Sequence, residues 1–106
     1  MEDKFHPAIN RPHEYEIAYL GYQLDQEDFR NSYIDIHFKK GNEIKKLRFF
    51  QPTELEIEKG FNGNICGMEI LDIRDYQLDG VGVKVRNFEQ DAGVTFMARE
   101  VKELNE

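Results

Sequence analysis

The chain has no tryptophan, one cysteine and three prolines in 106 residues. Each scarcity excludes something. A lone thiol, Cys66, cannot close an internal disulfide, and small secreted domains usually carry several, so a reducing cytoplasm is the expected compartment. No apolar run nears the ~20 residues of a membrane helix, so no membrane association is expected. The opening residues, Met1-Glu2-Asp3-Lys4-Phe5-His6-Pro7, lack the basic and apolar regions of a secretion signal. Basic charge is also short: 14 Lys and Arg against 21 Asp and Glu leave a formal net charge of −7. Phosphate backbones repel such a surface, so nucleic acid is not an expected partner; attraction to a basic protein fits the charge as well as plain solubility does, and solubility needs no partner. Lys39, Lys40, Lys45, Lys46 and Arg48 bracket one turn, but Asp35 and Glu43 dilute them.

Chemistry-bearing constellations are equally sparse. His6, His13 and His37 show no i, i+2 or i, i+4 pairing and Cys66 has no cysteine companion, so neither metal nor cofactor is expected. Asp72, Asp75 and Asp79 lack the central glycine and closing glutamate of a calcium loop. Gly80-Val81-Gly82 has neither the third glycine nor the helix of a dinucleotide fingerprint.

What the chain does have is punctuation. Lys40-Gly41-Asn42, Gly60-Phe61-Asn62-Gly63-Asn64, Asp79-Gly80 and Gln90-Asp91-Ala92-Gly93 supply residues that tolerate tight turns. Between them run short alternating segments. Ile34, Ile36 and Phe38 face one way and Tyr33, Asp35 and His37 the other; after the turn, Leu47 and Phe49 answer as a second hairpin arm. Ile17 to Leu24 reads as a first strand with apolar residues on both faces. Ile65 to Ile73 changes phase near Ile70 and Leu71, which predicts a β-bulge there. Val81, Val83 and Val85 alternate strictly, and Val94 to about Val101 closes the chain, with Arg99 to Glu106 also readable as a short helix. The expectation is an all-β fold: a mainly antiparallel sandwich or partly open barrel of about seven strands. Residues 1–12, interrupted by Pro7 and Pro12, are expected to be loosely ordered, and 13–106 to form one β domain.

Two surfaces are candidates for function. Glu54, Glu56 and Glu58 alternate with Leu55 and Ile57, which places three carboxylates about 6.6–7 Å apart on one strand face. With Phe61 in the following loop, they form a candidate partner-binding surface; their plainer role is to solubilise an exposed strand. Tyr33, Asp35 and His37 are the candidates for a small-ligand or enzyme site, since a carboxylate beside an imidazole can orient it as a general base. The plainer role there is a solvent-facing strand. A third possibility is a structural subunit that assembles through an edge strand.

Landmarks also fall in a particular order. His13-Glu14 precedes Ile17 to Leu24, and Leu47-Arg48-Phe49, Leu55-Glu56-Ile57-Glu58 and Gly60-Phe61-Asn62 follow. Gly67-Met68-Glu69-Ile70 and Phe96-Met97-Ala98-Arg99-Glu100-Val101 complete it. This order resembles small β-rich immunity proteins of bacterial polymorphic-toxin systems, especially the family called immunity protein fifty. The resemblance implies a non-catalytic inhibitor of a toxin and transfers no active-site role to any position.

Overall fold

The computed structural model describes residues 4–61, 68–74, 80–87 and 93–104. Alternation builds its centre. Strands β2 (Tyr33–Lys40) and β3 (Glu43–Phe50) pair antiparallel, with Ile34 opposite Phe49 and Ile36 opposite Leu47, all fully buried. Their two-residue loop begins with Gly41 at φ 60°, the conformation a type II′ hairpin turn requires of its first residue. Strand β1 (Glu16–Gln23) adds to β2 with a register shift between Ile17 and Tyr19. That bulge explains why both faces of the segment read as apolar: the extra residue lets Ile17 and Leu20, three positions apart, both pack against the core.

After β3, Pro52 is buried and β4 (Thr53–Ile57) begins a second sheet, joined by β5 (Met68–Asp72), β6 (Val83–Asn87) and β7 (Val94–Ala98). The final segment is not one strand. It leaves the second sheet at Arg99 and continues as β8 (Glu100–Glu103), paired with β3 in the first. The alternative reading of this stretch as a helix is therefore corrected, and the split accounts for an eighth strand. The sheets run β1-β2-β3-β8 and β4-β7-β6-β5, an all-β sandwich rather than a closed barrel. Gly82 serves the crossing: a Cβ there would lie 2.5 Å from the Arg99 carbonyl oxygen, so only glycine lets β6 pass so close.

The inner faces meet in one cluster of Ile34, Ile36, Phe38, Leu47 and Phe49 against Met68, Ile70, Val83, Val85 and Phe96. Phe49 and Phe96 join the sheets edge to face, with ring centroids 5.0 Å apart. The bulge expected near Ile70 and Leu71 is absent, since β5 and β6 pair in unbroken register from Met68 to Asp72. Leu71 breaks the apolar phase because it is buried too, on the face opposite Ile70 and outside the main cluster.

The stretch read as loosely ordered runs, from Lys4, alongside β5. The Asp72 amide donates to the Lys4 carbonyl and the His6 amide to the Ile70 carbonyl, both at 2.8 Å, and Phe5 bridges Leu71. Ile9 is 2% exposed within the core, and Pro12 is buried in a 3-10 turn over Pro12–Glu14. Readings that depend on Asn62, Gly63, Asn64, Ile65, Cys66, Gly67, Asp75, Asp79, Gln90, Asp91 and Ala92 lie outside the described residues. No helix among the described residues is long and apolar enough to cross a membrane.

If Phe49 joins the sheets, Phe49→Ala should cost about 3–5 kcal/mol in urea unfolding, and Phe49→Leu distinctly less. A loss under ~1 kcal/mol for the alanine variant would show that the rings carry little of the inter-sheet packing.

Candidate functional site

Tyr33, Asp35 and His37 do share the outer face of β2, as alternation requires. Their chemistry is already engaged, though not with one another. Arg48 lies directly opposite Asp35 in the β2–β3 register and grips both carboxylate oxygens, at 2.8 and 2.9 Å. The same guanidinium sits 3.8 Å above the centre of the Tyr33 ring. A bidentate pair capped by a cation–π contact is a rigid, partly buried clip. His37 instead packs against Tyr19, ring centroids 4.7 Å apart, and the Tyr19 ring occupies the space that a side chain at Gly21 would fill. A carboxylate held this way by arginine is not oriented to serve an imidazole as a general-base partner.

The glutamates of β4 form a different surface. Among the described residues β4 is an edge strand, paired with β7 alone. Its register shifts between Thr53 and Glu56, and Glu54 takes φ 56°, the left-handed conformation more usual for glycine at such a bulge. Leu55 turns inward against the core while Glu54, Glu56 and Glu58 remain exposed, so the carboxylates line the edge without forming the straight row that alternation suggested. Phe61 packs partly buried on the core, and its amide donates to the Glu58 carbonyl at 3.1 Å. Most carboxylates in the described residues have partners: Glu14 with Lys40, Asp28 with Arg30, Asp35 with Arg48, Glu69 with Arg86 and Asp72 with Arg74. Among the described residues Glu16, Glu27, Glu54, Glu56 and Glu58 have none. Glu54 and Glu56 border a groove whose far side carries Lys84 and Arg86.

A third place was missed in the sequence. A cavity of about 400 Å³ lies between residues 5–13 and β5, walled by Phe5, Ile9, Pro12, Met68 and Ile70, with His6, Arg11, His13 and Glu69 as its charged or titratable lining. His6 Nδ1 accepts the Ala8 amide at 3.1 Å, so the neutral ring carries its proton on Nε2. Burial pushes the His6 pKa below 6.5, and Arg74 adds to this while Asp72 opposes it. Asp72 is itself held down to about 2, chiefly by hydrogen bonds from the Arg74 guanidinium. The signal that could have found this place was Phe5 and Ile9 flanking Pro7, an apolar pair in a stretch without periodicity. Its other wall lies about sixty positions further along the chain, beyond any local pattern.

Among the described residues, no group of three or more His, Cys, Asp or Glu is placed to hold a metal ion. Comparison with protein-family models, curated proteins and solved structures finds no match to the chain.

Two measurements follow from this geometry. Glycine has no penalty at φ 56°, so Glu54→Gly should leave urea stability unchanged or raise it by up to ~1 kcal/mol, while β-branched Glu54→Val should lower it by roughly 1–2 kcal/mol. A strand-like, negative φ at Glu54 would reverse that order. For Asp72, whose folded pKa is depressed, the contribution to stability is complete above the ordinary value of 3.8 and is lost as pH falls through about 2. Asp72→Asn should flatten the stability profile in that window, and an unaltered slope would mean that the Arg74 pair does not act on folding.

Proposed function

We propose that the chain is a non-catalytic protein-binding module that engages a basic polypeptide along β4, as an immunity-type inhibitor of a toxin would, in the cytoplasm. One observation carries the reading: among the described residues, three partnerless carboxylates, Glu54, Glu56 and Glu58, lie along an unpaired sheet edge. Among the described residues Glu16 and Glu27 also lack a partner, but only on β4 and directly after it do three such carboxylates follow at alternate positions. Clustered, uncompensated charge attracts an oppositely charged surface over a Debye length of about 8–10 Å and acts mainly on the association rate. Occlusion then needs no chemistry from the module. It covers the working face of its partner. The Asp35–Arg48 clip favours this reading over an enzyme at Tyr33, Asp35 and His37, because it engages the carboxylate that alternation sets beside His37.

The test separates position from net charge. Wild-type protein should retain a basic polypeptide from a lysate of its own cells and associate with it at a rate that falls with salt. The double variant E54K/E56K should slow association by about tenfold or more, and adding E58K should slow it further. E16K/E27K changes net charge equally, at two other exposed and unpaired glutamates, and should act far less. Equal slowing by both doubles, or a rate insensitive to salt, removes β4 from the interaction.

A further inference from the structure

We propose that the cavity between residues 5–13 and β5 is a binding site for a small organic anion with an apolar body, such as an aromatic or short acyl carboxylate or sulfonate. At about 400 Å³ it falls within the range of small-molecule sites. Ile9, Met68 and Ile70 are already buried, so the apolar surface the cavity offers comes from Phe5, which is 64% exposed, and Pro7. An apolar body covers it.

The charge of the lining sets the class. In a chain of net charge −7, this cavity gathers His6, Arg11 and His13. Its single carboxylate, Glu69, already accepts from Arg86 at 2.7 Å. Glu14 lies 3.4 Å from Arg11, but it also holds Lys40 at 3.0 Å, and the Arg11 side chain is largely exposed. Arg11 also takes φ 55°, a left-handed backbone that a residue with a Cβ adopts only when its surroundings impose it. His6 contributes a donor: with Nδ1 occupied by Ala8, its free polar atom is the protonated Nε2. An anionic head near Arg11, His6 and His13 and an apolar body against Phe5 and Pro7 match the charge and the apolar surface of the lining. The site is on the β5 side of its sheet, at the far edge from β4, so it stands or falls separately from the protein-binding reading.

Two dyes of one shape decide the matter: anionic 1-anilinonaphthalene-8-sulfonate and its uncharged parent, N-phenyl-1-naphthylamine. Both should bind the native full-length chain saturably with a rise in fluorescence. Arg11→Gln should weaken the sulfonate by about tenfold and leave the neutral dye unchanged. Ile9→Trp, which enlarges a side chain of the cavity wall, should abolish both. Should that variant fail to fold, amide chemical shifts of the wild-type protein on adding the sulfonate take its place, with changes expected over residues 5–13 and 68–70. The proposal is overturned if neither dye saturates, if folded Ile9→Trp binds like wild type, or if the shifts lie elsewhere. Equal weakening of both dyes by Arg11→Gln overturns the anionic class.

Discussion

Mutual burial of two inner sheet faces is the constraint from which the other features descend. Each strand must offer apolar residues to one side, and where strict alternation cannot do so the backbone gives way. Ile17 and Leu20 both reach the core because β1 bulges between them, and Leu55 reaches it because Glu54 bends left-handed. In both cases apolar burial, worth roughly 1.5–3 kcal/mol per large side chain, outweighs a local backbone irregularity. Phe49 and Phe96 sit where the sheets meet, and their edge-to-face contact fills the middle of the sandwich.

Charge is organised by the same scaffold. Cross-strand register places Asp35 opposite Arg48 and Glu69 opposite Arg86, and short turns set Asp28 beside Arg30 and Asp72 beside Arg74. These pairs neutralise the flanks of the molecule. Among the described residues they leave Glu54, Glu56 and Glu58 without an ion pair along and just after β4, and a basic lining around the cavity beside β5, at opposite edges of one sheet. A protein whose composition reads as uniformly acidic is thus polarised locally.

Where periodicity and turn chemistry agree, the fold was legible. Ile34, Ile36 and Phe38 alternate around a glycine turn, and the hairpin forms as read. The outer face carrying Tyr33, Asp35 and His37 was legible for the same reason, but their neighbours were not: Arg48 and Tyr19 arrive from other strands, so the clip on Asp35 and the stacking on His37 depend on tertiary register. The apolar phase change at Ile70 and Leu71 suggested a bulge, yet the strand is regular and simply buried on both faces. At Arg99 the reverse occurs: the side-chain pattern runs on while the strand changes sheets, a step marked only by Gly82 seventeen positions earlier. Residues 4–12 showed no period because they lie along an edge rather than span a face.

The passage from β7 to β8 has a consequence for how the molecule comes apart. Arg99 is the only residue between the two strands, and its amide is bonded to the Phe50 carbonyl where β3 ends. No slack loop separates the layers at that point, so there is no seam along which one could melt and leave the other standing. Fraying of either layer pulls directly on the strand that anchors its neighbour. The slowest amide protons of both layers therefore exchange through one shared event, and the molecule behaves as a single cooperative unit despite its two-layered design.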